Sequence, residues 1–206
     1  MNEQLRRYFI NLYKGVPTDV YEGLLSIFCL GAIGLIAFFG WKKGWKKVVG
    51  LLLAEYVFLI YCSTVIYRKV AEGVVGHNFS PFWSYEAIKN GREDLIAENI
   101  MNVVVFVPVG ILLGLISRIR ELENKTPSKG IGKTKGLWRT QINRFALIVG
   151  IGLIISGSIE ALQYFLKRGF SEFDDVFHNT LGCLIGFMIV AIIQWIWSLH
   201  KRYSMS

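Results

Sequence analysis

Five predominantly apolar runs, each about 20 residues long, constrain this chain more than any other feature. They occupy residues 20–39, 48–67, 98–117, 144–166 and 176–197. An α-helix of that length crosses the hydrocarbon layer of a membrane, whereas a soluble domain of 206 residues rarely holds several such runs. The runs are continuous rather than alternating, which disfavours a β-barrel. The sequence therefore predicts an all-α fold, a polytopic helical bundle with about five transmembrane helices, that is, a multi-pass protein of the cell membrane.

The positive charges predict the orientation of this bundle. The connections between runs 1 and 2 and between runs 3 and 4, together with the tail, hold 14 Lys and Arg, against nine elsewhere. Because cytoplasmic segments carry the excess, we expect the N-terminus outside and the C-terminus inside. This clustering also accounts for the net charge of +8, so that membrane lipids, and no nucleic acid, are the expected partners.

The segments outside the runs differ in composition. Residues 1–19 mix basic and apolar side chains at helical spacing, which favours an interfacial N-terminal segment before a transmembrane domain at 20–197. Within that domain, residues 40–47 are predicted to form a short basic loop, 68–97 a longer amphipathic loop and 167–175 an acidic turn. Residues 118–143 read as a basic, Gly-rich cytoplasmic loop, and 198–206 as a basic tail.

Polar side chains from distant parts of the sequence fall at one predicted depth. Runs 3 and 5 begin at the outer surface and run 4 ends there, so their polar positions share that level. The residues concerned are Glu98, Asn99, Asn102, Glu160, Gln163, Asp174, Asp175 and Asn179, and Glu22 begins run 1 at the same level. Ionisable groups beside a hydrocarbon layer cost on the order of a few kcal/mol and usually serve a purpose.

Small residues lie below this polar level on the same helix faces. Asp175, Asn179, Gly182 and Gly186 follow helical spacing in run 5, and Asn102 precedes Gly110 and Gly114 in run 3. Glycines at this spacing let helices approach closely. The pattern predicts a tight helix junction that opens outward as a pocket lined by hydrogen-bonding groups.

The carboxylates of this level allow two interpretations. Glu160 either belongs to a structural network, protonated or paired with Asn102 or Arg168, or it binds a ligand cation or acts as a general base. An acidic residue that precedes a helix caps it, which accounts for Asp174 but leaves Asp175 unexplained. Glu160 and Asp175 are therefore the catalytic candidates if the protein is an enzyme.

Three further chemistries are open at the sequence level. Glu160, Asp175 and Asn179 offer the carboxylate and amide oxygens that Mg²⁺ or Ca²⁺ prefers, so a divalent cation is a candidate cofactor. His178 is either a polar filler or a catalyst. Glu55, deeper in run 2, is either paired within the bundle or forms a proton relay with Glu160 in a small transporter.

The order of these motifs resembles the VanZ-like family of membrane proteins. The resemblance covers about residues 50–195, including the loop segment 78–85. The matching positions are Asn102, Phe106, Pro108, Gly110, Leu112, Leu113, Ser156, Glu160, Gln163, Asp174, Asp175, Asn179, Thr180, Gly182 and Gly186. Family members often carry a Gly-Arg pair ahead of the acidic cluster, whereas this chain has Lys167, Arg168 and Gly169.

This resemblance implies a cell-envelope protein associated with resistance to the glycopeptide teicoplanin. We expect it to bind or modify an amphiphilic ligand at an outer-leaflet polar pocket, the ligand being a lipid-linked cell-wall precursor or the glycopeptide itself. The predicted ligand-binding residues are Asn99, Asn102, Gln163, Arg168, Asp174 and Asn179. The alternative is a non-enzymatic accessory or interaction protein whose polar cluster is structural.

Overall fold

The computed structural model describes residues 15–69, 75–123 and 133–203, together with Glu3, Arg6 and Ile10. Most of the predicted interfacial segment 1–19 lies outside these residues. The elements, in chain order, are α1 (Thr18–Tyr61), a π-helical turn (Cys62–Ile66), β1 (Gly76–Asn78), α2 (Trp83–Lys89), α3 (Asp94–Glu123), α4 (Lys133–Leu166), β2 (Phe170–Glu172) and α5 (Phe173–Tyr203).

Five helical segments of the described chain are long and apolar enough to cross a membrane, as predicted. They are Thr18–Trp41, Lys43–Ile66, Asp94–Ile119, Asn143–Leu166 and Phe173–His200. The first two belong to α1, which turns back on itself at Gly40, where φ is 71° and ψ is 163°. The predicted basic loop at 40–47 is therefore wrong, because the chain reverses at one glycine and the lysines that follow are helical.

The two antiparallel arms of α1 touch closely near this turn. A methyl group on Gly44 would lie 2.8 Å from the Leu35 carbonyl oxygen, and one on Gly31 would lie 2.6 Å from Leu51 Cδ2. The first arm is otherwise peripheral, since Leu30 and Phe38 are largely exposed. In a bilayer these side chains face acyl chains, so their exposure is expected.

The bundle core is built around α3 and α5, which share the most extensive contact. A methyl group on Gly182 would overlap the Val103 carbonyl oxygen, and one on Gly186 would overlap that of Val107. The predicted small-residue junction is thus the closest crossing that these two helices make. Phe106, Val109, Ile148 and Ile159 are among the buried side chains that surround it.

Two connections predicted as loops contain regular structure. Within 68–97, β1 pairs in parallel with β2, with Gly76 opposite Phe170 and Asn78 opposite Glu172, and α2 follows. Within 118–143, residues 118–123 belong to α3 and residues 133–143 to α4, whereas 124–132 lie outside the described residues. The strand pair and α2 sit at the end of the bundle where α3 and α5 begin and α4 ends.

Candidate functional site

A cavity of about 580 Å³ opens at this end of the bundle. We call it the polar cavity. It is lined by Gly15, Ile60, Ser63, Thr64, Tyr67, Arg68, Lys69, Glu98, Asn102, Val105, Phe106, Ile159, Glu160, Gln163, Asp175 and Asn179. Five of the eight site residues predicted from sequence are among them, and these five are contributed by α3, α4 and α5.

The last turns of α4 carry Ser156, Glu160 and Gln163 on one face, at the helical spacing seen in the sequence. All three are at least 94% buried, since Glu160, the most exposed, retains 6% of its surface. Glu160 Oε2 accepts a hydrogen bond of 2.9 Å from the backbone N–H of Glu172. β2 therefore holds this carboxylate, and neither Asn102 nor Arg168 is its partner as the sequence had suggested.

Gln163 is the least satisfied of the buried polar groups of the cavity. Its side-chain nitrogen donates to the carbonyl oxygen of Thr64 at 3.1 Å. Its Oε1 is buried without a hydrogen-bond partner among the described residues. A buried acceptor left unpaired costs about 1–3 kcal/mol, so a hydrogen-bond donor placed at this oxygen would relieve that cost.

The α5 residues are held by partners on two other helices. Asn102 Nδ2 on α3 donates to Asp175 Oδ1 at 2.6 Å. One turn deeper, Asn179 Nδ2 donates to the Ser156 hydroxyl oxygen on α4 at 2.9 Å. The two amides thus tie α5 to both neighbours while their residues line the cavity.

Asp174 lies next to Asp175 in sequence but serves a different element. It is fully buried and accepts hydrogen bonds from the backbone N–H of Phe82 at 2.6 Å and of Ser84 at 2.9 Å. The Ser84 hydroxyl donates to it as well, and Asn99 Nδ2 donates to that hydroxyl. The predicted capping is therefore found on α2 rather than on α5, and Asp174 and Asn99 lie outside the cavity lining.

Glu172 is the last residue of β2 and lies beside the cavity. Its Oε2 accepts a 3.0 Å hydrogen bond from the indole N–H of Trp83. Burial, together with the charge of nearby Glu98, raises the pKa of Glu172 to about 7, although the bond from Trp83 opposes that shift. Carboxylates thus accumulate around the cavity, where Glu98, Glu160 and Asp175 are lining residues.

The cationic residues that line the cavity are Arg68 and Lys69 and not the predicted Arg168. Arg168 is exposed and lies outside the lining, whereas Arg68 and Lys69, directly after the π-helical turn, line it. Gly169 has a φ of 125°, and a methyl group there would lie 2.8 Å from Arg68 Cζ. The glycine thus allows the guanidinium of Arg68 to approach the backbone. The sequence did hold a signal for these residues. Arg68 and Lys69 follow the predicted run 48–67, which ends at the same depth as the polar side chains.

The predicted metal ligands Glu160, Asp175 and Asn179 all line the cavity, whereas two other candidates, His178 and Glu55, lie apart from it. No group of three or more His, Cys, Asp and Glu side chains in the described residues is placed to hold a metal ion. His178 receives or donates a 2.9 Å hydrogen bond with the Tyr85 hydroxyl and does not line the cavity. Glu55 is in the middle of its span, Lys43–Ile66, and its Oε1 has no partner among the described residues.

A sequence model of the VanZ/LLP1 family matches residues 48–194, which is more than half of the chain. The chain belongs to the VanZ/LLP1 family. The match begins in the second arm of α1 and ends within α5, so it includes every residue that lines the polar cavity except Gly15. The first transmembrane arm precedes the family region. No curated protein matches the chain, and no solved structure matches it.

Proposed function

We propose that this VanZ/LLP1 protein binds an amphiphilic ligand of the cell envelope in the polar cavity, at the outer leaflet. The ligand class is a lipid-linked cell-wall precursor or a glycopeptide such as teicoplanin. The observation that carries the proposal is the unpartnered Oε1 of Gln163, in a cavity that is also lined by carboxylate and cationic side chains. A ligand donor at this oxygen would remove the cost of leaving it unpaired.

The cavity has the composition that an amphiphilic ligand requires. Its volume, about 580 Å³, is within the range of small-molecule sites. Glu160, Asp175 and Arg68 offer charged contacts to a polar head, while Ile60 and Phe106 offer apolar surface toward the bundle. A cavity of this size admits part of the head of such a ligand, with the rest of the head outside its mouth and the hydrocarbon chain in the surrounding lipid.

The proposal has an enzymatic form. Glu160 or Asp175 would act as the general base toward a bound head group, because both carboxylates line the cavity. In that form Asn102, through its bond to Asp175, and the Glu172 N–H, through its bond to Glu160, orient the two candidate bases.

A second candidate is a non-enzymatic accessory protein. The specific observation in its favour is that most of the cluster is paired within the bundle. Asp175 is paired with Asn102, Asn179 with Ser156, and Glu160 with the backbone of Glu172. In this reading the polar groups fix the helices, and the function is partner binding.

Binding measured on purified variants separates the two candidates. The probes are fluorescent teicoplanin and a purified lipid-linked cell-wall precursor, titrated against wild type, Glu160→Gln and Asp175→Asn in detergent. We expect either substitution to weaken binding by about 10–100-fold, because a charged hydrogen-bond partner is lost, while monodisperse yield is retained. Arg168→Gln, which is exposed, is the control and should bind as wild type does.

The opposite outcomes identify the accessory protein. Loss of monodisperse protein in both acidic-site variants would show a structural cluster. Failure of the wild-type protein to bind either probe would contradict the proposed ligand class.

A further inference from the structure

A second cavity, at the other end of the bundle, is lined by three lysines. Its volume is about 820 Å³, and its lining consists of Phe39, Lys43, Lys46, Lys47, Gly50 and Ile116. We call it the lysine cavity. Lys43, Lys46, Lys47 and Gly50 follow helical spacing on one face of the second arm of α1, and Ile116 is contributed by α3. Phe39 belongs to the first arm of α1, so the cavity lies among three transmembrane segments and is not on a single helix.

The chemistry of this cavity is that of an anion site with an apolar wall. Within the described part of the chain, no acidic residue is among its lining residues. Phe39 supplies an aromatic face, and Lys47 Nζ lies 5.4 Å from the centre of that ring. This cation–π contact favours a position of the ammonium group at the boundary between polar and apolar surface.

The lysine cavity has empty space beside Gly50. A methyl group on Gly50 would meet no atom within 4 Å, so the space above this residue is free. Ile116 forms the apolar boundary on the side of α3. A group that enters can therefore reach the lysines while an attached hydrocarbon chain follows the apolar boundary.

The depth of the cavity is that of lipid head groups. Trp41 and Trp45 lie at the level of the lysines but on the opposite face of this helical arm. Their rings are 5.3 Å apart, and they are 66% and 46% exposed. Exposed tryptophans of this kind lie at the membrane–water interface. The charge distribution predicts that this end faces the cytoplasm, where anionic lipids attract basic segments.

We infer that the lysine cavity binds a phosphate-bearing anion, and that the source of this phosphate is the head group of an anionic membrane lipid. The lysines contact the phosphate, and the acyl chains lie against Phe39 and Ile116. This inference does not depend on the ligand of the polar cavity, which is at the opposite end of the spans.

The test measures lipid binding by the full-length protein. Native mass spectrometry and thermal shift compare dioleoylphosphatidylglycerol with dioleoylphosphatidylcholine, which has the same acyl chains and no net charge. We expect tighter binding of phosphatidylglycerol to the wild-type protein. The triple variant Lys43→Gln/Lys46→Gln/Lys47→Gln should lose about 100-fold of that affinity, which is about fivefold per lysine.

Matched variants separate the cavity from net charge. Lys89→Gln/Lys167→Gln/Arg168→Gln removes the same charge at exposed positions of the opposite end and should retain the preference for phosphatidylglycerol. Gly50→Phe leaves all lysines in place but fills the open space, and we expect it to reduce binding about tenfold. This variant tests the cavity even if the triple lysine variant fails to fold.

Three results would overturn the inference. They are equal binding of the two lipids to wild type, an equal loss in both triple variants, and unchanged binding by Gly50→Phe. A further measurement adds inorganic phosphate to the lipid-binding assay at constant ionic strength. Competition by millimolar phosphate with no lipid preference would assign the site to a soluble anion and overturn the lipid assignment.

Discussion

The two ends of this bundle use charge in different ways. At the polar cavity, buried and half-buried carboxylates and amides are fixed by hydrogen bonds of 2.6–2.9 Å that join three helices and a strand. At the lysine cavity, exposed and half-exposed side chains surround open space. Fixed buried groups select a ligand by geometry, whereas exposed charges attract it by sign. Under the two proposals, the polar-cavity end is the recognition end, and the lysine-cavity end places the protein among anionic lipids.

The largest expected effect comes from separating the helices that join the two ends. In Gly182→Leu the new side chain overlaps the backbone of α3 at Val103, which cannot shift without opening the junction. We expect loss of monodisperse protein, a cost above about 3 kcal/mol. The control is Gly157→Ala, where a methyl group meets nothing within 4 Å. Normal yield of Gly182→Leu would show that the junction does not hold the ends together.

The next effect distinguishes a buried capping carboxylate, Asp174, from an exposed carboxylate, Asp94. Asp174→Ala leaves the N–H groups of Phe82 and Ser84 buried without their acceptor, so we expect a loss of about 3 kcal/mol in the free energy of unfolding. The matched control is Asp94→Ala, also in the first turn of a helix. Its partner Arg92 is 2.8 Å away, but both side chains are mostly exposed, so less than about 1 kcal/mol should be lost. Thermal unfolding in detergent measures both, and equal losses would contradict the distinction.

A smaller effect is a dependence of folding stability on pH, which only the recognition end should show. The pKa of Glu172 is raised to about 7 in the folded state, so the folded protein binds the proton more tightly than the unfolded chain. Stability should therefore be highest below the ordinary pKa of a glutamate and fall as pH rises toward 7. With a discount for the partial exposure of Glu172, the loss is about 1 kcal/mol, or about 2–4 °C in Tm.

The variant Glu172→Gln tests this assignment. The glutamine cannot ionise, so the decrease in Tm between pH 5 and pH 8 should be about 2–4 °C smaller than in wild type. Glu86→Gln, at an exposed position of α2, is the control and should leave the decrease unchanged. An unchanged pH profile in Glu172→Gln would assign the dependence to another group.

The smallest expected effect concerns the middle of the bundle. Glu55 is outside the lining of the polar cavity, and its unpartnered Oε1 is at mid-span. In Glu55→Gln, ligand binding at the polar cavity should stay within about twofold of wild type, as for distant independent sites. A loss as large as that in Glu160→Gln would instead support a relay that joins Glu55 to Glu160.

Local patterns were enough to predict the spans and the faces that their polar residues share. The helical period alone brings Ser156, Glu160 and Gln163 to one stripe, and glycines four residues apart mark a close crossing. These features depend on residues within one helix. The same reasoning placed Asn102, Asp175 and Asn179 at one end of the bundle, where the structure has them.

Features that depend on contacts distant in sequence could not be read in this way. The strands β1 and β2 have three residues each, too few for a strand pattern, and their pairing joins segments about 90 residues apart. The placement of Arg68 over Gly169 and the capping of α2 by Asp174 both follow from that pairing. The reversal at Gly40 was missed because a basic tryptophan-rich segment resembles a loop even when it is helical.

Thiol accessibility in intact cells tests the central claim most directly, namely that distant polar residues form one cavity that opens to the exterior and binds the ligand. Thr64→Cys lines the polar cavity, and Gly50→Cys lines the lysine cavity. A membrane-impermeant thiol reagent should label Thr64→Cys without lysis, teicoplanin or a lipid-linked precursor should protect it, and Gly50→Cys should react only after lysis. Labelling of Thr64→Cys only after lysis, or without protection by either ligand, would contradict the account.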